Sequence, residues 1–208
     1  KKNATSKGNT QKTLGDLIKE NPWSNIKGFR SAKFGMNEKG VYRAIATDFK
    51  LAKSKVKRTI QSVEKTIVLE IIVPDLFSIG GTARVNYILG YKSKKLMHIN
   101  VLWGKGASEK VDGQGVVETA NLLRDHFVKK RYKEEGLVVN GKLSDLSTIV
   151  FRGRDRGNRM ILLLLNTVAA KEGVSAEDNL NQVSLALSYI SKPFNPDIRK
   201  ITIKDDEF

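Results

Sequence analysis

The sequence predicts an α+β fold in which an antiparallel sheet is packed by two helices. Residues 82–104 contain two runs rich in β-branched and aromatic residues around a lysine-rich tip, which is typical of a β-hairpin. A second pair of such runs lies within 148–166 and flanks a polar turn. Apolar residues at steps of three and four indicate helices over 38–49 and 116–132.

The first hairpin has one apolar face by its period of two. A tight loop at 93–95 would bring the two strands together with Tyr87 opposite Val101. We expect Tyr87, Tyr91 and Trp103 to lie in the core. The shared apolar face consists of Val85, Tyr87, Leu89, Tyr91, Met97, Ile99, Val101 and Trp103. The other face carries Arg84, Asn86, Ile88, His98, Asn100 and Leu102, so it is only partly polar.

The remaining elements follow from local signals. Asn37 is a suitable N-cap for the first helix, although Gly40 stands where a capping box has Glu or Gln. Asn140-Gly141 indicates a tight turn after a short strand. Residues 182–190 alternate apolar and small polar side chains, which favours a strand over a helix. Strands are predicted at 66–73, 137–139 and 182–190, a strand or loop at 56–61, and an edge segment at Ile201 and Ile203.

The order of elements is a helix with three strands, then a helix with three or four strands, which we interpret as two related αβββ halves. The chain divides into a basic flexible arm at 1–28, a first half at 29–108, and a second half with a C-terminal tail at 109–208. Within the arm, 13–19 predicts one or two amphipathic turns. A six-stranded chain with two helices would show the same rhythm without a repeat.

The net charge of +15 is unevenly distributed along the chain. Residues 1–65, 66–133 and 134–208 carry net charges of +11, +5 and −1, respectively. Long-range attraction to a polyanion would therefore act mainly on the N-terminal part. Candidate polyanions are nucleic acid, an anionic membrane or envelope surface, and an acidic protein. Alternatively, scattered surface lysines only keep the protein soluble.

Two basic sets are the candidate partner-binding residues. Arginine's planar fork suits phosphate or carboxylate groups, and we expect an exposed tip of guanidiniums at the second hairpin turn. Alternatively, Asp155 and other acids neutralise this set and leave a solvated edge. The first set is Lys50, Lys53, Lys55, Lys57 and Arg58, and the second is Arg152, Arg154, Arg156 and Arg159.

The sequence offers little for catalysis. It has no cysteine, which excludes thiolate metal sites and cysteine nucleophiles in this chain. His98 and His126 do not stand at a metal-binding spacing, and the loop 104–108 lacks the spacing of a phosphate-binding loop. No Gly-x-Ser-x-Gly motif is present, and we do not interpret Ser54-Lys55 as part of a Ser-x-x-Lys setting of the hydrolase type. We therefore expect no metal, no cofactor and no enzymatic activity.

The stretch 29–41 has an aromatic residue, Gly, Met, an N-cap and an acidic helix start. Through Phe34, Gly35, Met36 and Val41 it resembles the helix start of small exported bacterial proteins, among them the small lipoprotein of the outer-membrane assembly machine and the β-lactamase-inhibitory proteins. The chain is also similar to uncharacterised exported proteins that share Gly90-Tyr91-Lys92, Tyr189-Ile190 and Pro196-Asp197. The resemblance implies a non-enzymatic envelope protein that works through protein–protein contact. The absence of cysteine departs from the lipoprotein members.

The sequence thus predicts a non-catalytic, exported (periplasmic) protein that binds an acidic partner or a larger assembly as an accessory subunit. The basic N-terminal half and the sheet surface would make the contact. The chain starts with Lys1, and we expect a processed or truncated N-terminus. The alternatives are a sequence-tolerant nucleic-acid-binding protein and a cytoplasmic location.

Overall fold

The computed structural model describes residues 20–144, 146–169 and 172–200. These residues form an α+β fold with an eight-stranded antiparallel sheet, a two-stranded sheet and three helices. The predicted turns at 13–19 and the edge at Ile201 and Ile203 lie outside the described residues. No helix within the described ranges is both long and apolar enough to cross a membrane.

The two predicted helices are present. Helix α1 is Glu38–Phe49, and its N-cap is Asn37, whose side-chain oxygen accepts the N–H of Gly40 at 2.9 Å. Helix α2 is Gly113–Phe127, which begins before the predicted 116 because Asp112 caps it and accepts the N–H of Gly115 at 3.0 Å. A third, short helix, α3, is Ala176–Leu180.

The strands extend the prediction. The small sheet pairs β1 and β2, and the large sheet has the order β3-β4-β5-β6-β10-β9-β8-β7. The strands β6 and β10 pair at its centre, so residues from both predicted halves share one sheet. The bounds are Gly28–Phe29 (β1), Ala32–Lys33 (β2), Lys57–Ile60 (β3), Ile67–Val73 (β4), Ala83–Leu89 (β5), Leu96–Gly104 (β6), Val138–Ser144 (β7), Ser147–Arg154 (β8), Met160–Asn166 (β9) and Ser184–Ile190 (β10).

The predicted register of the first hairpin is wrong by two residues. Tyr87 lies opposite Ile99, because the strands separate after Leu89 and Leu96 and leave the six-residue loop 90–95. Because side chains alternate along a strand, a shift of two keeps β5 and the part of β6 from His98 onward on their predicted faces. Near the loop a bulge makes Leu96 the buried partner of Leu89, and Met97, predicted on the core face, is half-exposed. Tyr91, predicted in the core, is in the loop and half-buried.

The predicted turn at Asn140-Gly141 is also wrong. Strand β7 runs through it, and the chain turns instead between Ser144 and Ser147. Asn140 has a φ of 53°, the left-handed conformation that favours Asn and Gly. The turn signal therefore marks an irregularity in the strand. Pairing with β8 keeps the chain extended through this point, so it does not turn back here.

One hydrophobic cluster joins the helices to one face of the large sheet. It contains Val41 and Ile45 of α1 together with Val116 and Leu123 of α2. Tyr87 and Trp103 are fully buried, as predicted, while the opposite face of the sheet is left half-exposed.

Candidate partner-binding surface

The sheet face that points away from the core cluster is the open face. Its side chains are half-exposed from β5 across to β9, and they mix polar and apolar groups. At the centre, the hydroxyl of Ser188 donates to Oδ1 of Asn100 at 2.7 Å, and Asn100 also bonds the side chain of His98. The open face includes Arg84, Asn86, Ile88, His98, Asn100, Leu102, Ser188, Ala186, Leu162 and Leu164.

His98 is the most unusual polar group on this face. Burial lowers the pKa of its imidazole, and the hydrogen bond with Asn100 only partly opposes that effect. Its Nε2 atom is buried and has no hydrogen-bond partner among the described residues. A buried polar atom is usually paired, so this nitrogen is an unsatisfied group, and an external partner could reach it only after neighbouring side chains move.

The two ends of the large sheet differ in charge: one is strongly basic and the other is nearly neutral. Strand pairing places the segments 61–66, 90–95, 128–137, 155–159 and 191–200 at one end, which we call the basic end. They contain thirteen Lys and Arg against five Asp and Glu. The segments 50–56, 74–82, 105–112 and 172–183 lie at the other end, with five Lys against six Asp and Glu. Attraction to an anion would therefore act at one end of the sheet.

The predicted arginine tip lies at the basic end, but its guanidiniums make contacts within this chain. Arg152 Nε donates to the carbonyl of Gly136 at 2.9 Å, and Arg154 Nη2 donates to the carbonyl of Glu135 at 2.7 Å. Arg156 lies in the turn beyond β8, so it does not share a strand face with the other two. The side chain of Arg154 is only 14% exposed.

Arg159 belongs to a hydrogen-bond network around Asp155, which is 1% exposed; we call it the Asp155 network. The carboxylate of Asp155 accepts the main-chain N–H of Ile26 at 2.9 Å and of Arg159 at 3.0 Å, and it also accepts Arg159 Nε at 2.9 Å. Arg131 and Arg156 lie over Trp23, each 4.5 Å from the ring centroid. Residues 21–26 of the predicted flexible arm are thus bound to the second half, and 1–19 lie outside the described residues.

The first basic set lies at the opposite edge of the large sheet, before and within β3. Arg58 Nε lies 2.9 Å from Oε1 of Glu38, and Lys57 Nζ lies 3.8 Å from Oε1 of Glu70. Lys53 lies over the ring of Tyr42 at 5.0 Å. Six strand spacings separate β3 from β8, which is about 29 Å. The two predicted sets therefore do not form one site.

A further basic cluster was missed by the sequence analysis. The C-terminal tail returns to the loop 90–95, where the N–H of Tyr91 donates to the carbonyl of Asp197 at 2.7 Å. A Cβ added to Gly90 would lie 2.3 Å from Oδ2 of Asp197, so the close approach requires glycine. We call this group the tip–tail cluster; it consists of Lys92, Lys94, Lys95, Lys192, Arg199 and Lys200.

The carboxylate of Asp197 holds the tail on the loop. It accepts the N–H of Lys92 at 3.0 Å and the N–H of Ser93 at 2.8 Å. Desolvation acts to raise the pKa of Asp197, but the hydrogen bonds from Ser93 and Lys92 and the charge of Lys92 outweigh it, so the pKa is lowered. The tail contact is therefore strongest while this carboxylate is ionised.

Asp197→Asn is expected to loosen the tail at neutral pH. Because the folded-state pKa lies below the ordinary 3.8, the contact stabilises above that value and is lost as pH falls through the folded-state pKa. The group is solvent-exposed, so we expect less than about 1 kcal/mol. Hydrogen exchange checks this through the amides of Lys92 and Ser93, which should exchange faster in the variant. Unchanged exchange would contradict the carboxylate's role.

Comparison of the chain with models of protein families, with curated proteins and with solved structures found no match. Within the described residues, no group of three or more His, Asp or Glu side chains could hold a metal ion. The described surface offers hydrogen-bonding groups, exposed cations and half-exposed apolar side chains.

Proposed function

We propose that this is a non-catalytic, exported accessory protein, which binds an acidic partner protein or a larger assembly through the basic end of the sheet. The observation that carries the proposal is the separation of charge between the two ends. A one-sided positive field accelerates encounter with an acidic partner and orients it. Export rests on the sequence resemblance alone.

An exposed aromatic ring supplies an anchor at this end. Phe194 is 73% exposed, and the guanidinium of Arg154 lies 5.2 Å from its ring centroid. Aromatic and arginine side chains are enriched among the residues that dominate protein–protein binding energy. The ring and the surrounding cations together suit a partner that offers both carboxylates and apolar contacts.

We further propose that the two halves are related. Helix α1 precedes β3 to β6 and helix α2 precedes β7 to β10, and the strand order of the second half mirrors that of the first about the β6–β10 pair. Each half then has one long helix followed by four strands of the large sheet, one strand more than the predicted αβββ unit, and the second half also contains the short α3.

Nucleic acid is the competing partner, because the same cations would contact phosphates. Sequence-tolerant binding of single strands uses aromatic rings with free faces. Trp23 is covered by two guanidiniums, and Lys94 lies over Tyr91 at 5.3 Å. Phe194 alone among these rings is largely exposed, which favours a protein partner.

A photo-crosslinking amino acid in place of Phe194 tests the proposal in cells of the source organism. Val174, 40% exposed and at the opposite end, is the control position. We expect an acidic protein to be crosslinked from position 194 and not from position 174. The adduct of position 194 should be lost in a variant in which three charges of the basic end are reversed. It should be retained in a variant in which three charges far from that end are reversed. The reversed sets are Lys94→Glu, Arg199→Glu and Lys200→Glu, against Lys55→Glu, Lys105→Glu and Lys110→Glu.

Equal crosslinking from both positions, or equal loss in both charge-reversed variants, would remove the basic end as the binding surface. An adduct of position 194 with nucleic acid would instead support the competing partner. Each variant should first show the circular dichroism spectrum of the original chain, because the comparison requires intact folding.

A further inference from the structure

A groove of about 720 Å³ opens where the open face meets the basic end. This volume falls within the range of ligand pockets in proteins. Its lining comes from four separate parts of the chain: the segment before α1, the loop 90–95 with the start of β6, the end of β10, and the tail. The apolar lining is formed by Phe34, Leu96, Met97, Ile190 and Pro196.

Three lysines line this groove: Lys92, Lys95 and Lys192. Lys92 and Lys95 are exposed on the loop and Lys192 is exposed on the tail. Within the described part of the chain, none of the three ammonium groups is in an ion pair with an acidic side chain closer than 4.0 Å. The groove therefore presents positive charge beside apolar surface.

The one acidic residue in the lining, Asp197, is already engaged. Its two oxygens accept the consecutive N–H groups of Lys92 and Ser93. Consecutive main-chain N–H groups that converge in this way form a concave anion-binding site. The chain's own carboxylate therefore occupies these two N–H groups, and the three lysines are the groups of the groove that remain for an external anion.

His98 adds a polar group to the same lining. Its buried Nε2 has no partner among the described residues, while its side chain also bonds Asn100 on the open face. A ligand that enters the groove would supply the hydrogen bond that this nitrogen lacks if the side chains that cover it move aside.

We propose that the groove receives an acidic segment of the partner protein in which one apolar side chain lies between carboxylates. The apolar side chain lies against Met97 and Ile190, and the flanking carboxylates lie at the three lysines. This inference rests on the proposed function and names the chemistry that the partner presents. The segment contacts both the apolar lining and the three lysines of the groove. We therefore expect an uncharged segment, or an acidic segment without an apolar side chain, to bind more weakly.

The probe is a capped pentapeptide with phenylalanine between two pairs of glutamates. Two comparison peptides carry serine in place of phenylalanine, or glutamine in place of glutamate. At an ionic strength near 0.15 M, we expect the first peptide to bind about tenfold more tightly than either comparison peptide. On binding, the methyl signal of Met97 and the imidazole signals of His98 should shift in nuclear magnetic resonance spectra.

A charge-neutralised variant of the groove and a matched control locate the site. The groove variant combines Lys92→Gln, Lys95→Gln and Lys192→Gln, and the control combines Lys55→Gln, Lys105→Gln and Lys110→Gln, three exposed lysines at the opposite end or beyond it. Three ion pairs of modest strength together correspond to about tenfold in affinity, which we expect the groove variant to lose and the control to keep. Equal binding of the serine peptide, equal loss in both variants, or shifts confined to other residues would overturn the inference.

The two proposals fail in different ways. If position 194 crosslinks an acidic protein but the pentapeptide does not bind the groove, the groove inference is wrong and the proposed function stands. If the pentapeptide binds in the groove but position 194 yields no adduct, the groove inference stands and Phe194 is not an anchor of the partner contact. Binding of an oligonucleotide with the same shifts, in preference to the pentapeptide, would overturn both.

Discussion

Replacing Asp155 with alanine is expected to lower the free energy of unfolding by about 3 kcal/mol. The carboxylate is 1% exposed and accepts three hydrogen bonds, from the N–H groups of Ile26 and Arg159 and from the guanidinium of Arg159. Alanine would leave two main-chain donors and a half-buried cation without their acceptor. Breaking a buried charge pair from one side costs more than removing both partners.

Asp125→Ala is the matched control for this prediction. Asp125 also lies 2.9 Å from an arginine, Arg124, but its side chain is 59% exposed. An exposed ion pair contributes about 0–1 kcal/mol, so the control should lose little stability. Denaturant unfolding measures both variants. Equal losses would mean that burial does not decide the strength of the Asp155 contact.

The Asp155 network and its neighbouring contacts change the expected effect of replacing the second arginine set. On sequence grounds, changing Arg152, Arg154, Arg156 and Arg159 to serine weakens partner binding and leaves folding intact. In the structure, Arg152 and Arg154 donate to main-chain carbonyls, and Arg159 pairs with buried Asp155. We therefore expect the combined change to destabilise the fold, which makes it a poor test of binding.

Local patterns were sufficient to predict most elements. Periodicity and the cap at Asn37 identified α1, and alternation identified β5, β6 and β10. The register of a hairpin depends on the residue at which its two strands separate. Here the strands separate after Leu89, because the six-residue loop that follows also contacts the tail. Asn140-Gly141 is a strong turn signal in isolation, but the ladder with β8 outweighs it.

The candidate surface could not be predicted because it depends on topology. The order in which the strands pair decides which loops lie at the same end, and so produces the separation of charge. Lys92 and Lys192 are one hundred positions apart, and the antiparallel pairing of β6 with β10 brings their segments together. Charge counted along the sequence placed the excess in the N-terminal half and missed this end.

Trp103→Ala is expected to cost about 4 kcal/mol of folding free energy, the second large effect. Trp103 is fully buried in β6 opposite Leu185 of β10, and its ring stacks on Phe77 at 5.7 Å between centroids. Removal would leave a cavity at the strand pair that joins the two halves. Trp23→Ala is the control: Trp23 is half-buried between two guanidiniums, and the loss should be nearer 1 kcal/mol.

The chain has two tryptophans, so single substitutions to phenylalanine leave one fluorescent probe in each region. Trp103→Phe leaves Trp23, which reports on the segment bound to the second half; Trp23→Phe leaves Trp103, which reports on the centre of the sheet. Because β6 and β10 pair along seven residues, we expect both probes to unfold with one denaturant midpoint once each variant's own stability is allowed for. Separate midpoints, with one probe changing while circular dichroism retains half its signal, would show that the halves fold independently. The central strand pair would then connect two domains, and the groove beside it would change shape whenever they move.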